Sequence, residues 1–266
     1  MNSQENPLDF SGAVVLVTGG GRGVGRGISE RFLGAGATVV VCGRHQPDLP
    51  PSGGGHTADF VACDVRDPEQ VDALIATIVE RHGHLDVVVN NAGGSPAVNA
   101  ADASPRFSES IIRLNLIAPL HVARAANAVM QGQEHGGVII NIGSISGLRP
   151  TPATAAYGAA KAGLANLTTT LAVEWAPKVR VNMVTAGMVE TEQSELFYGD
   201  AAGVAAVGAT VPLGRLAQPG EIGDACLFVA SPLAAYMTGG GLLIHGGGER
   251  PAYLAQSTAA LPGRLS

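Results

Sequence analysis

Ala13-Val14-Val15-Leu16-Val17-Thr18-Gly19-Gly20-Gly21-Arg22-Gly23-Val24-Gly25 decides how the rest of this chain is read. The apolar run from Ala13 to Val17 suits a strand buried on both faces of a parallel sheet. The glycines after it turn the chain sharply and let backbone approach a ligand closely. The helix that starts next points its positive amino end at the same place. Strand, glycine turn and helix start make a seat for the pyrophosphate of a dinucleotide, although similar turns also occur where no ligand binds.

The alternation continues along the chain. Strand-like apolar runs cover Ala13 to Thr18, Thr38 to Cys42, Asp59 to Cys63, Leu85 to Asn90, Gly137 to Ile142, Val179 to Val184 and Gly241 to His245. Between them, Val24 to Gly34, Pro68 to His82, Phe107 to Gln131, Ala155 to Ala176 and Glu221 to Ala230 carry apolar residues at helical spacing. The pattern predicts an α/β fold: a single-domain, Rossmann-type, doubly wound sheet of seven parallel strands with helices on both faces. The domain is expected to span residues 1–266, with tails at 1–10 and 249–266. Ligands bind beyond the carboxyl ends of the strands in such sheets, and Gly19, Asn90, Ser144 and the segment after Val184 fall at such ends.

Tyr157 and Lys161 lie four apart in a segment rich in alanine and leucine, so they share one face of a helix. An unperturbed tyrosine titrates near pH 10, and a fixed cation beside it favours the phenolate, so Lys161 is expected to lower the phenol's pKa. A tuned phenol can protonate a carbonyl oxygen or deprotonate an alcohol. Alone, such a pair is more often an aliphatic stem packed on a surface ring.

The glycine turn and the tyrosine-lysine pair, in this order, resemble the short-chain dehydrogenase/reductase family over roughly Phe10 to Gly248. The family's Thr-Gly-x-x-x-Gly-x-Gly is matched by Thr18, Gly19, Gly23 and Gly25, and its Asn-Asn-Ala-Gly by Asn90, Asn91, Ala92 and Gly93. Its asparagine falls on Asn115, and its serine on Ser144, which keeps the family spacing to Tyr157 where Ser146 does not. Val179-Arg180-Val181-Asn182 is similar to the family's sixth strand.

The resemblance implies a catalytic set of Asn115, Ser144, Tyr157 and Lys161. It also implies that Lys161 holds nicotinamide ribose hydroxyls, that Asn115 positions a water, and that Asp64 hydrogen-bonds adenine. A buried Asn115 bridging backbone groups, and an Asp64 acting as a helix cap, are the plainer readings. The implied cofactor-binding set is Thr18, Gly19, Arg22, Gly23, Val24, Gly25, Arg44, Asp64, Val65, Asn91, Ala92, Gly93, Tyr157, Lys161, Gly187, Val189 and Thr191. The implied reaction interconverts a ketone and a secondary alcohol, with a 3-oxoacyl thioester or a steroid-like ketone among the candidate substrates. A catalytically idle dinucleotide-binding sensor or scaffold is the alternative.

Cofactor choice turns on the end of the second strand, where NAD-preferring members generally carry an acid and this chain has Gly43 followed by Arg44. Arg44, with Arg22 in the turn, can pair with a 2′-phosphate, so NADP(H) is favoured over NAD(H). Two departures from the family pattern stand out. Ala186-Gly187 replaces Pro-Gly, which leaves the contacts of Val189 and Thr191 with the carboxamide less constrained. His245 replaces the usual aspartate before the glycines.

The net charge of −6 and the lack of clustered Lys and Arg argue against a nucleic-acid partner. No apolar run reaches the roughly eighteen residues of a membrane span, and no signal peptide is evident at the start, so a cytoplasmic location is expected. Cys42, Cys63 and Cys226 read as small core residues rather than a disulfide or metal framework, and the seven histidines are scattered, so no metal is expected. The Pro- and Gly-rich Gln46 to His56 reads as an exposed connection with little function. Leu196 to Pro212 lies where the family has its substrate lid, though a surface helix fits as well. Pro251, Tyr253 and Leu254 in the tail either dock onto a neighbour or fray. The alanine-rich Ala155 to Ala176, by analogy with helices that pair across subunits in the family, implies a homotetramer.

Overall fold

The computed structural model of the protein describes residues 6–253, so Leu254 and most of the expected tail lie outside the described residues. Seven strands form one parallel sheet: β1 (Val14–Thr18), β2 (Thr38–Gly43), β5 (Asp59–Ala62), β6 (Val87–Asn90), β7 (Gly137–Ser144), β8 (Val179–Ala186) and β9 (Gly241–Ile244). Their spatial order is β5-β2-β1-β6-β7-β8-β9, with the direction of winding reversing between β1 and β6. Each register is parallel, as Val15↔Val39 and Val15↔Val87 illustrate.

Alternation along β1 explains why its apolar run is continuous. Val14 and Leu16 pack into the core on one face, and Val15 and Val17 into the core on the other. α2 (Pro68–His82), α4 (Ala118–Met130) and α5 (Ala155–Trp175) cover the first face, while α1 (Gly23–Gly34) and α8 (Pro219–Ala230) cover the second. Fully buried side chains such as Leu16, Phe32, Leu74 and Ile139 each stabilise the fold by about 1.5–3 kcal/mol through area removed from water.

Several expectations are corrected. The single helix read over Phe107 to Gln131 is two helices, α3 (Pro105–Ile112) and α4, joined by a π-helical turn at Arg113–Ile117 that carries Asn115. α8 begins earlier, at Pro219, where Gln218 and Glu221 form a reciprocal capping box. β7 and β8 run two residues further than the apolar pattern suggested, to Ser144 and Ala186, and so place the serine at the carboxyl end of the sheet. The segment Gln46 to His56 is not wholly irregular. It contains a short hairpin of β3 (Ser52–Gly53) and β4 (His56–Thr57) that packs against α1. The region Leu196 to Pro212 holds two helices, α6 (Ser194–Tyr198) and α7 (Ala201–Thr210). No helix among the described residues is long and apolar enough to cross a membrane.

Candidate active site

A cleft of about 870 Å³ opens beyond the carboxyl ends of the strands. Gly19, Arg22, Gly23, Val24, Gly25, Arg44, Asp64, Val65, Asn91, Ala92, Gly93, Ser144, Tyr157, Lys161, Gly187, Val189 and Thr191 all line it. Thr18 and Asn115 do not. Both are buried behind its wall, where they hold backbone in place.

The seat at the glycine turn fits a pyrophosphate. Gly19 has φ +64°, a left-handed conformation that favours glycine. A Cβ on Gly25 would stand 2.3 Å from the Gly19 carbonyl oxygen and 2.4 Å from Asn91 Nδ2. The amino end of α1 has no side-chain cap and no acid in its first turn, so its free N–H groups face the cleft without a protein anion of their own helix. Thr18 Oγ1 accepts hydrogen bonds from the Asn91 and Ala92 amides, both at 3.0 Å, and Asn91 Nδ2 donates to the Thr18 carbonyl at 2.9 Å. These bonds lock the ends of β1 and β6 together and shape the floor of the seat.

Ser144 at the end of β7, and Tyr157 and Lys161 one turn apart on α5, meet on the other side of the cleft. Lys161 is 5% exposed, donates from Nζ to the Ile142 carbonyl at 2.8 Å, and lies 5.6 Å from the centre of the Tyr157 ring. Burial brings the Lys161 pKa down to about 8. The expected lowering of the phenol by Lys161 is corrected here. Burial pushes Tyr157 above the ordinary phenol value, and a hydrogen bond with Ser144 works against that rise. The phenol is therefore held protonated at neutral pH, the form that donates a proton.

Asn115 makes the backbone contacts expected of a buried bridging asparagine. Its Oδ1 accepts from the Gly94 amide at 2.9 Å, and its Nδ2 donates to the Gly94 and Ile111 carbonyls, each at 2.9 Å. The π turn lets one side chain clamp both its own helix and the loop that continues from Asn91-Ala92-Gly93. A second constraint lies in the loop between Ser144 and Tyr157. Ala153 has φ +63° there, costly for a residue with a Cβ, and its carbonyl accepts the Val98 amide at 2.8 Å.

At the opposite end of the cleft, Arg44 and Arg22 both face the cavity. Asp64 is engaged with a group the sequence reading did not single out. Arg66 donates to it from Nε at 2.9 Å and from Nη2 at 2.5 Å, and this pairing, with help from Arg44, holds the carboxyl below the ordinary range. Gln46, Pro47, Asp48 and Leu49 also line the cleft, and Arg26 Nη1 donates to the Leu49 carbonyl at 2.9 Å, so the connection judged of little function closes this end. No local pattern marks that loop in the sequence. Arg66 could have been found from its spacing of two from Asp64.

The missing family proline does not leave the segment after β8 loose. The Gly187 amide donates to the Ile244 carbonyl at 2.8 Å, and a Cβ on Gly187 would lie 2.7 Å from His245 Cα. Val189 bridges to Ala217, with Glu190 N donating to Ala217 O at 2.8 Å. His245 thus packs its main chain on Gly187. Beyond it, Phe197 and Tyr198 of α6 line the cleft, and Arg149 pairs with Glu249 nearby. Burial raises the Tyr198 phenol, which feels both of those charges.

Comparison with known proteins agrees with this geometry. A family profile described as enoyl-(acyl carrier protein) reductase matches residues 19–249. The chain is 35% identical over 249 residues to a 3-oxoacyl-(acyl-carrier-protein) reductase of Vibrio harveyi, covering 90% of this chain and 98% of that protein. It is 33% identical to a 3alpha-hydroxysteroid dehydrogenase of Mediterraneibacter gnavus, over 88% of this chain and 95% of that one. It is 36% identical to a longer short-chain type dehydrogenase/reductase of Sinorhizobium fredii, of which it spans 43%. Among solved structures, the ligand-free aldohexose dehydrogenase of Thermoplasma acidophilum superposes with a TM-score of 0.84 at 30% identity, over 96% of this chain and 98% of that one. With its sheet order, glycine turn and tyrosine-lysine helix, the chain belongs to the short-chain dehydrogenase/reductase family of NAD(P)-dependent oxidoreductases.

Proposed function

We propose that this protein is an NADP(H)-dependent carbonyl reductase or secondary-alcohol dehydrogenase, with Tyr157 as its general acid and base. One observation carries the reading: Ser144, Tyr157 and Lys161 converge at one end of a cleft whose other end is the glycine turn and Arg44. A bound nicotinamide supplies or accepts the hydride. Tyr157 gives its proton to the ketone oxygen during reduction and takes it back during oxidation, and Ser144 donates a hydrogen bond to the same oxygen. Lys161 holds the nicotinamide ribose hydroxyls beside Tyr157, and Asn115 keeps the Gly93-Gly94 backbone in place beneath them. Arg44 and Arg22 take the 2′-phosphate, and Thr18 and Asn91 hold the turn that receives the pyrophosphate.

A 3-oxoacyl thioester or a steroid-like ketone is the substrate class supported by the names of the relatives. The chain works as a single domain in the cytoplasm and assembles as a homotetramer. Ala155, Ala159, Ala162 and Val173 lie exposed along α5 as a stripe of mostly small side chains that permits close helix pairing. Steady-state assays of a ketone panel with NADPH and NADH, together with equilibrium cofactor binding, test the activity. Turnover of a ketone supports it, while tight cofactor binding with no turnover on any member of the panel favours the idle redox sensor instead.

A further inference from the structure

Two of the three cysteines lie together at the adenosine end of the cleft. In the register of the sheet Cys42 stands opposite Val61, so Cys63, two residues on, presents its side chain on the same face of the neighbouring strand. The Cys63 amide donates to the carbonyl of Gly43, the residue after Cys42, at 2.9 Å. The two thiols are close enough to perturb each other, and each is at most 3% exposed, yet both border the cleft. Interaction with Cys63, together with burial, holds the Cys42 thiol up, while interaction with Cys42 lowers Cys63, which makes Cys63 the more acidic sulfur of the pair. Cys226 is a contrast. It is buried alone in the core on the opposite face, where burial pushes its thiol up.

We infer that Cys42 and Cys63 form an oxidation-sensitive thiol pair in the wall of the cofactor cleft, which a peroxide closes to a disulfide when no dinucleotide covers it. The Cys63 thiolate attacks one peroxide oxygen, breaking the O–O bond to give a sulfenic acid, and the departing hydroxide takes a proton to become water. The Cys42 sulfur then attacks the Cys63 sulfur, its proton leaves with the displaced hydroxide as a second water, and the S–S bond forms. Two thiols and one peroxide become one disulfide and two waters.

Closure also moves backbone. With strands about 4.8 Å apart and a rise of about 3.3 Å per residue, diagonal neighbours on adjoining strands stand about 8 Å apart at Cα, whereas a disulfide holds its Cα atoms at roughly 4.4–6.8 Å. The bond therefore draws the end of β5 toward β2, displacing Gly43-Arg44 against Asp64, the residues placed around the adenosine end. Oxidation weakens cofactor binding, and bound cofactor protects the thiols. The coupling to cofactor rests on the proposed dinucleotide function, while the thiol pair itself does not.

The full-length protein is treated with hydrogen peroxide, with and without saturating NADPH, then denatured, alkylated and mapped by mass spectrometry. A Cys42–Cys63 cross-linked peptide is expected, with Cys226 alkylated throughout. Oxidation slows about tenfold or more in NADPH, because a ligand that binds only the reduced state protects by mass action. Dithiothreitol restores NADPH binding, and C42A and C63A variants each form no cross-link. Both thiols staying free under oxidant, or a cross-link through Cys226, overturns the pair. Equal rates with and without NADPH, in protein shown by titration to bind NADPH, overturn the coupling. A cross-link in protein that binds no dinucleotide at all supports the pair and refutes the dinucleotide reading.

Discussion

The Thr18 hydroxyl and the Asn91 side-chain amide form a two-way clasp. Thr18 Oγ1 accepts from the Asn91 main chain at 3.0 Å, while Asn91 Nδ2 donates to the Thr18 carbonyl at 2.9 Å. The reversal of winding between β1 and β6 opens a crevice at this point, and the clasp fixes its width.

Replacing Thr18 with Val keeps the shape and removes the acceptor. The Asn91 and Ala92 amides are then left without their partner, at a cost of about 1–3 kcal/mol. The T18V variant is expected to unfold at lower denaturant and to bind NADPH more weakly. Unchanged stability in a denaturant titration would show that the clasp is not needed.

Tyr157→Phe is expected to keep cofactor binding and to lower turnover by a factor of about 10² or more, the range for loss of a general acid. The raised phenol pKa has a direction that can be tested. The protonated form is present throughout neutral pH, so Tyr157 itself limits ketone reduction only as the pH rises through the phenol's pKa, above the step near 8 at which Lys161 loses its charge. Alcohol oxidation needs the phenolate and rises over the same alkaline interval. Because Ser144 works against the rise, Ser144→Ala should move both limbs to higher pH. Limbs that move to lower pH would contradict this account.

Arg44→Ala should weaken NADPH about tenfold or more and leave NADH nearly unchanged, since a charge-assisted contact contributes about 1.5–3 kcal/mol. Gly43→Asp should shift preference toward NADH. The site has room for it: a Cβ on Gly43 would meet the His45 carbonyl oxygen at 3.8 Å and Phe60 Cε2 at 4.0 Å. Kinetics with both cofactors decides, and a wild-type enzyme that prefers NADH would refute the assignment.

Glu221 closes the capping box of α8 and pairs with Arg215, at 2.7 Å through each carboxylate oxygen. Arg215, aided by the Gln218 amide, brings its pKa to about 2. Its folded value lies below its unfolded value, so its stabilisation is complete above the ordinary value of 4.5 and disappears as the pH falls from there toward 2. Glu221→Ala should cost about 1 kcal/mol near neutral pH, the usual worth of a cap. The variant and the parent should converge in acid. A difference in thermal melts that persists at the lowest pH would rule this out.

Light scattering at micromolar protein should return the mass of a tetramer. Val173, 82% exposed on α5, and Leu243, 46% exposed on the edge strand β9, should then become covered. A monomer mass would end the assembly proposal.

The amino-acid sequence by itself determined the sheet, because a strand buried on both faces leaves a continuous apolar run and a covering helix leaves a 3.6-residue period. It also determined the glycine seat and the pairing of Tyr157 with Lys161, since both depend on neighbours within a few residues. What only the tertiary structure decided involves groups that meet across long separations. The π turn that aims Asn115 at Gly94, the loop from Gln46 to Leu49 that walls the adenosine end, and β9 holding Gly187 in place of a proline have no local pattern. The state of Tyr157 belongs with these. The spacing puts a cation one turn away, but burial sets the direction of the shift, and burial is a property of everything packed around the ring rather than of the motif itself.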